Sequence, residues 1–169
     1  MSSLAGTPIV RERSFSWEDP SIVANAARTM RGLDAMRAIA TGELPPPPIA
    51  VTLGFELLEV DFGRALFALS PAEFHYNPIG VVHGGIAMTL LDSAMGCAVH
   101  TTRGAGEGYT TLQANVHLVR PLTADTGTVH AEGVVVHAGR TAATAEGKLT
   151  QASTGKLLAH ATTSCLLIT

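Results

Sequence analysis

The spacing of apolar residues along the chain predicts two helices. From Pro20 to Ala40, apolar residues recur at steps of three and four, the period of one helix face, with Asp19 or Ser21 as the N-cap. The second predicted helix covers residues 83–101 and is apolar on most of its circumference. We therefore expect this second helix to be largely buried.

Strand patterns occupy most of the remaining chain. Val51–Val60 and Arg64–Ser70 flank a turn in which Gly63 supplies the unusual backbone angle of a hairpin. In the last predicted strand, apolar and polar residues alternate, which indicates a sheet with one buried face. The strands predicted after the second helix cover residues 109–119, 126–138, 141–152 and 156–168, and turns at Gly139-Arg140 and Ser153-Thr154-Gly155 separate the last three.

The order of these elements is helix, two strands, buried helix, four strands, with no internal repeat and no βαβ alternation. This order predicts an α+β fold in which an antiparallel sheet wraps a long central helix, with an extra helix at the N-terminus. The proline run Pro45–Pro48 cannot continue a helix and favours an extended spacer. We therefore divide the chain into an N-terminal extension, residues 1–48, and a main domain, residues 49–169.

A single sheet of this kind leaves its edge strands unpaired, and two copies that pair edge to edge would remove one such edge from each. The composition agrees with self-association, because 46% of the residues are hydrophobic and only 15% are charged. Such an apolar balance favours surface that is hidden in an oligomer. We expect a homodimer that assembles further into a homotetramer.

Charge and segment composition limit the classes of partner. The net charge of −3 provides no basic stripe for nucleic acid. Residues 1–10 lack the basic and apolar regions of a secretory signal, and the longest apolar stretch, residues 81–99, is interrupted by His83, Asp92 and three glycines. We expect a cytoplasmic protein without a nucleic-acid or membrane partner.

Asp92 is the residue in the predicted buried helix that most needs an explanation. A buried ionised aspartate costs several kcal/mol unless it is paired or functional, and no Lys or Arg occurs between Gly85 and Thr102. It either points to solvent or is a buried functional carboxylate. The functional interpretation is favoured by Gly84 and Gly85, because they open the N–H groups of the helix start to a developing oxyanion.

The spacing of these groups has a consequence for assembly. Asp92 follows Gly84 by eight residues, which corresponds to about 12 Å along a helix. That is too far for both to act on one carbonyl within one chain. A two-fold axis could place Gly84 of one subunit opposite Asp92 of the other, which would give two identical sites in each dimer.

The stretch from Asn77 to Asp92 resembles the signature of the PaaI-type hotdog-fold thioesterases, the 4HBT superfamily. It contains an Asn, a His-Gly-Gly turn and a helical acid at the spacing of that family. The resemblance extends over most of the chain from about Leu33. Further segments that carry it are Gly54-Phe55-Glu56, Arg120-Pro121 and Ser153-Thr154-Gly155-Lys156.

This resemblance implies that the chain hydrolyses an acyl-CoA, with an aryl or a fatty acyl group, to the free acid and CoA at a dimer interface. It also implies the catalytic roles. Asp92 is implied as the general base or nucleophile, and Gly84 as the N–H donor to the thioester carbonyl. His83 shapes the turn. Asn77 orients the water or the thioester, and Thr111 helps to position the water. The expected substrate-binding residues are Gly85, Met88 in the acyl pocket, and Arg120, Arg140 and Lys156 for the CoA end.

Several alternatives remain open at this point. A non-catalytic acyl-CoA-binding protein could share the fold, and a hydratase or dehydratase could use His83 as its acid and base. The other histidines, His75 among them, are scattered without metal-ligand spacing, so we expect neither a metal nor a cofactor. The first fifty residues either cover the substrate tunnel or extend the sheet.

Overall fold

The computed structural model describes residues 9–169, so residues 1–8 of the predicted N-terminal extension lie outside the described part. This described part contains four α-helices and six strands, in the order α1 Ser21–Ala26, α2 Gly32–Thr41, α3 Pro48–Leu53, β1 Phe55–Asp61, β2 Arg64–Leu69, α4 Gly84–His100, β3 Gly108–Leu118, β4 Val129–Ala138, β5 Ala142–Gln151 and β6 Leu157–Ile168. Two single 3₁₀ turns, Glu73–His75 and Ala124–Thr126, lie in the loops.

The six strands form one antiparallel sheet in the order β1-β2-β4-β5-β6-β3. The connection through α4 carries the chain from β2 across the sheet, so β3 pairs with β6 at the far edge. Successive side chains along most of β5 and β6 alternate between buried and more exposed positions, and the buried face packs on α4. The α+β prediction, a sheet wrapped around a long central helix, is confirmed.

Helix α4 forms the centre of the core, as predicted. Its buried apolar residues are Ala87, Leu90, Leu91, Ala94, Met95, Ala98 and Val99. The closest approach of helix and sheet occurs at Gly133 of β4, where an added Cβ would lie 2.3 Å from the Ala94 carbonyl oxygen and 2.5 Å from the Met95 nitrogen. Backbone packs directly on backbone there, and only glycine permits it.

The helix predicted from Pro20 to Ala40 is in fact two helices, α1 and α2, so that prediction was wrong. The predicted N-cap was also wrong, since Pro20 occupies that position. Gly32 gives the physical reason for the break. A Cβ at Gly32 would lie 1.8 Å from the His100 carbonyl oxygen, so the second helix has to begin where a residue without a side chain meets the end of α4.

The strand predicted from Val51 also began too early. Pro47 is extended, with φ −65° and ψ 148°, but Pro48 opens the short helix α3. Proline is well suited to the first position of a helix because its missing N–H is not needed there. The strand proper therefore starts at Phe55, after Gly54 ends the helix with a φ of 75°.

The N-terminal helices do not extend the sheet, which was one of the two expectations for this region. Between residues 9 and 54 the structure places no strand, and α2 packs instead against β1 and α4. A cavity of about 550 Å³ lies between α2, the proline segment, α3 and β1.

Within residues 9–169 there is also no helix long and apolar enough to cross a membrane.

The turns between strands agree with the sequence predictions. Gly63 in the β1–β2 hairpin has a φ of 76°, and Gly155 in the β5–β6 turn has a φ of 69°. Strand β4 starts at Val129 rather than at residue 126, because residues 124–126 form a 3₁₀ turn. The last strand shows the expected alternation, with every second residue from Ala159 to Leu167 buried.

We predict that Gly133→Ala destabilises the fold by about 3 kcal/mol, because the added carbon forces α4 away from β4. The matched control is Gly108→Ala, whose Cβ would meet only the Ile168 Cβ at 3.9 Å. It should change the free energy of unfolding by no more than about 0.5 kcal/mol. Urea unfolding followed by circular dichroism measures both changes. Equal stabilities of the two variants would contradict the packing described here.

Candidate active site

The start of α4 presents the first group of predicted site residues. Gly84 is the first helical residue and His83 is its N-cap. The His83 Nδ1 accepts a hydrogen bond of 2.9 Å from the Gly85 N–H, so this ring nitrogen carries no proton. The His83 carbonyl oxygen accepts the Ile86 N–H at 2.9 Å. His83 therefore accepts from the two helix-start N–H groups that follow Gly84.

The Gly84 N–H itself remains available. Within residues 9–169, it donates no hydrogen bond. An added Cβ on Gly84 would lie 2.7 Å from the Leu118 Cδ1, so glycine also keeps the approach to this N–H open. A free N–H at the positive end of a seventeen-residue helix is a suitable donor to an oxygen that gains negative charge.

The loop before α4 is shaped by hydrogen bonds to its main chain. The Asn77 Oδ1 accepts from the N–H groups of Ile79 and Val81, at 3.0 and 3.3 Å. Farther along, the Val82 N–H donates to the Leu122 carbonyl and the His83 N–H donates to the His75 carbonyl. In this structure the oxygen of the Asn77 side chain thus holds the loop.

A cleft of about 260 Å³ lies in front of the helix start. It is lined by polar groups at its rim and by apolar side chains at its walls, among them Asn77, His83, Gly84, Leu118, Arg120 and Leu122. The Arg120 guanidinium is held in place because its Nη1 donates to the Leu157 carbonyl oxygen at 2.5 Å. Four of the predicted site residues, Asn77, His83, Gly84 and Arg120, are therefore brought together.

Asp92 lies elsewhere on α4, two turns after Gly84. Its Oδ1 accepts a hydrogen bond of 3.0 Å from the Thr111 Oγ1 on the edge strand β3. The structure thus brings Asp92 and Thr111 together. However, Asp92 is exposed in the single chain, so the expectation of a buried carboxylate was wrong for one protomer. The reason is its position on α4, because it faces past the unpaired edge of the sheet rather than under it.

Met88 and the edge strand share this exposed region. Met88 lies one helical turn before Asp92 and is 44% exposed. On β3, Leu112 is 63% exposed and forms a bulge, where the pairing with β6 shifts between Thr111 and Gln113. The face of α4 that carries Asp92 and the edge of β3 therefore form one continuous exposed surface.

The basic residues predicted for the CoA end are not gathered in one place. Lys156 is exposed in the β5–β6 turn, at the end of the sheet where the Arg120 N–H donates to the Leu158 carbonyl. Arg140 is exposed in the β4–β5 turn, at the opposite end. A single chain thus groups Arg120 with Lys156 and separates both from Arg140.

His75, one of the scattered histidines of the sequence, bonds to the residue before Gly84, and no motif predicted this. His75 is only 4% exposed and bonds both to α3 and to the loop before α4. The signal that could have identified it is its position two residues before Asn77, between the aromatic residues Phe74 and Tyr76. In the described part of the chain, no three His, Cys, Asp or Glu side chains are grouped as metal ligands would be.

The fold and the helix start define a hotdog protein with an open N–H donor in a cleft. Comparison with known proteins agrees, since a family model described as the thioesterase superfamily matches residues 79–158. A 1,4-dihydroxy-2-naphthoyl-CoA hydrolase from Listeria monocytogenes serotype 1/2a (strain 10403S) is 30% identical over 107 residues, which are 63% of this chain and 85% of the relative. The chain therefore belongs to the thioesterase superfamily, and it is a thioester hydrolase.

Solved structures show the same relationship. A phenylacetic acid degradation-related protein from Ralstonia eutropha JMP134 is 31% identical, with a TM-score of 0.70 over 78% of this chain and 98% of that one. A mutant of the phenylacetic acid degradation protein PaaI from Thermus thermophilus is 30% identical, with a TM-score of 0.64 over 70% and 97%. The PaaI protein of E. coli, at 21% identity and a TM-score of 0.70 over 83% and 97%, shares the fold. The predicted resemblance to PaaI-type thioesterases is confirmed.

We predict that His83→Ala lowers the free energy of unfolding by about 1 kcal/mol, because the Gly85 N–H loses its cap. His83→Ser provides the matched control, since a serine hydroxyl at the N-cap can accept the same N–H. Urea unfolding should place the serine variant close to the wild type and the alanine variant below it. If both variants lose the same stability, the capping role assigned to His83 is wrong.

Proposed function

We propose that the protein is an acyl-CoA thioesterase that uses the Gly84 N–H to stabilise the oxyanion and Asp92 to activate water. The free Gly84 N–H at the start of α4 is the observation that carries this proposal. Hydrolysis of a CoA thioester is also the activity named for the Listeria relative.

Two free cysteines, Cys97 and Cys165, suit a reducing compartment, which supports a cytoplasmic location.

The chemistry follows from the two groups. The thioester carbonyl oxygen accepts the Gly84 N–H, which stabilises the negative charge that develops when the carbonyl carbon is attacked. Asp92 takes a proton from water as the water oxygen bonds to that carbon. The carbon–sulfur bond then breaks, the CoA thiolate leaves, and the proton on Asp92 passes to it. Direct attack by the Asp92 carboxylate through a mixed anhydride is the second route open to the same residues.

Thr111 supports the water in this proposal. Its hydroxyl donates to one carboxylate oxygen of Asp92, so this contact fixes that oxygen and leaves the other free for water. The hydroxyl oxygen can in turn accept a hydrogen bond from the same water. Asn77 shapes the loop beside the donor, and its amide nitrogen can face the bound thioester.

The distance between the two groups requires a second subunit. Eight residues of helix separate Gly84 from Asp92, about 12 Å, and both project from one rigid element. The exposed surface of β3, Met88 and Asp92 lies at an unpaired sheet edge. We propose that two copies pair along β3 about a two-fold axis, so that Gly84 of one faces Asp92 of the other, and that such dimers associate into a tetramer.

The same two-fold axis suits the binding of CoA. Arg120 lies at the rim of the cleft, and Lys156 lies at the same end of the sheet. Because antiparallel pairing along β3 reverses the partner, the end that carries Arg140 of the partner subunit turns toward them. We propose that these basic side chains bind the phosphates of CoA, while Gly85 and Met88 line the path of the thioester and the acyl group.

We predict that Asp92→Asn lowers kcat/KM for the best acyl-CoA substrate by at least about 10²-fold, because the amide cannot accept the proton. The assay is thiol release from a panel of phenylacetyl-, hydroxybenzoyl-, short-chain and long-chain acyl-CoAs. The matched control is Asp34→Asn, an exposed carboxylate in the first turn of α2, which should keep wild-type turnover.

The panel also decides between the alternatives. The acyl-CoA that turns over fastest names the acyl class, aryl or fatty. If the wild type and Asp92→Asn both bind CoA but neither releases thiol from any thioester, the proposal fails and a non-catalytic acyl-CoA-binding role replaces it. Single-turnover hydrolysis in ¹⁸O-water separates the two chemical routes, since label incorporated into Asp92 indicates the mixed anhydride.

We predict that two inactive variants, Gly84→Val and Asp92→Asn, restore activity when they are co-expressed. In a mixed dimer, one site combines both lesions and the other combines the intact Gly84 with the intact Asp92. Random assembly makes half of the dimers mixed with one intact site each, so about a quarter of wild-type activity should return. If purified mixed dimers recover no thioesterase activity, each site is built from one chain.

A further inference from the structure

His75 is a buried histidine that the proposed chemistry does not use. It ends the 3₁₀ turn Glu73–His75, two residues before Asn77, and it is 4% exposed. Buried polar side chains are costly unless their hydrogen bonds are made. Four bonds of His75 account for its position, two from the ring and two from the main chain.

The ring bonds fix both its tautomer and its neighbours. The Nδ1 accepts from the Ala72 N–H at 3.0 Å, so it carries no proton. The Nε2 lies 2.8 Å from the Leu53 carbonyl oxygen, which can only accept, so the Nε2 is the protonated nitrogen. Leu53 is the last residue of α3, where helical carbonyls lack partners within the helix. The neutral ring therefore joins α3 to the turn.

The main chain of His75 makes the other two bonds. Its N–H donates to the Ala72 carbonyl at 3.0 Å within the turn, and its carbonyl oxygen accepts the His83 N–H at 2.8 Å. His83 caps α4 and directly precedes Gly84, the donor proposed for the oxyanion. A continuous series of hydrogen bonds therefore runs from α3 through the ring and the peptide of His75 to the residue before Gly84.

We propose that His75 is a positioning residue of this hydrolase, which fixes the loop from Asn77 to Gly84 against α3 and thereby aims the Gly84 N–H. This inference rests on the proposed function of Gly84. An oxyanion donor is useful only when it points at the place where the charge develops, and a misplacement of about 1 Å can cost about 10²-fold in rate.

The position of the ring also implies sensitivity to acid. Burial lowers the pKa of His75 below its ordinary value of 6.5, and the Arg13 charge lowers it further, against the opposing effect of the bond to Leu53. Arg13 is the charged side chain that acts on the ring, and the carboxylate of Glu73, in the same turn, is paired with Arg11. Helix α3 adds no titratable side chain. The neutral form is the one that the two ring bonds require.

The sign of the pH effect follows from this direction. The unfolded chain binds a proton on His75 near pH 6.5, whereas the folded chain binds it only at lower pH. The stability that the ring contributes is therefore complete above pH 6.5 and declines as the pH falls from 6.5 toward the lowered pKa. Protonation of Nδ1 would also remove the bond from Ala72 and loosen the loop.

The test uses two variants that each keep one ring bond. His75→Asn keeps an acceptor near Nδ1 and loses the contact with Leu53, while His75→Gln keeps a donor near Nε2 and loses the acceptor. The control is His137→Asn, an exposed histidine on β4. The measurements are kcat and KM for the best acyl-CoA, the melting temperature, and the amide resonances of His83 and Gly84 in ¹⁵N-labelled protein.

We expect each His75 variant to lower kcat by about tenfold to hundredfold with KM changed by less than about threefold. The His83 and Gly84 amide resonances should shift in both, and the control should match the wild type. Wild-type kcat in folded His75 variants, or lowered kcat with unmoved His83 and Gly84 resonances, would overturn the positioning role.

A measurement on the wild type covers the case in which both variants unfold. The His83 and Gly84 amide shifts should follow the titration of the His75 ring below pH 6.5, and amide shifts independent of that titration would overturn the proposal. These resonances need no turnover. If the wild type hydrolyses no thioester while the amide shifts still follow His75, the proposed function fails and the linkage of His75 to Gly84 stands.

Discussion

Gly133 of β4 lies so close to α4 that a single added carbon would approach the Ala94 carbonyl to 2.3 Å. A second glycine, Gly147 of β5, leaves room for the Met95 side chain in the same way, with a would-be Cβ 3.0 Å from its Cγ. Because the helix rests on the backbone of the sheet at this depth, its axis and rotation are fixed by the core rather than by loops. The position of every group on α4 therefore depends on that contact.

A helix fixed in this way cannot bring its two chemical features together. Gly84 is the first residue of α4. Asp92 lies two turns later, on the helix face next to the edge strand β3. Bending the helix would break the packing at Gly133, so the mechanism that we propose takes the second group from another chain. The unpaired edge of β3 is next to Asp92, and in the dimer that we propose one symmetric pairing covers this edge and brings the two groups together.

The sequence predicted the long apolar helix, the strands and their turns, because each rests on a local pattern of apolar residues or glycines. The predicted element boundaries were wrong at Pro48 and Gly32, where the structure depends on contacts between distant segments. Helix α3 is capped by Arg13, whose guanidinium donates to the Thr52 and Val51 carbonyls. Gly32 packs against the His100 carbonyl. The motif residues Asn77, His83 and Gly84 line one cleft, and their catalytic roles stay a prediction. The exposure of Asp92 was missed, since helical periodicity cannot show where a sheet ends.

The loop before α4 shows how one N–H is selected for a ligand. Val82 donates to the Leu122 carbonyl, His83 donates to the His75 carbonyl, and the N–H groups of Gly85 and Ile86 both donate to His83. Within the part of the chain that the structure describes, Gly84 is the residue left unsatisfied in this run. Because its neighbours are already bonded, an incoming oxygen can gain a hydrogen bond at Gly84 alone. In the mechanism that we propose, the oxyanion therefore binds at the Gly84 N–H, because the donors on either side of it are occupied.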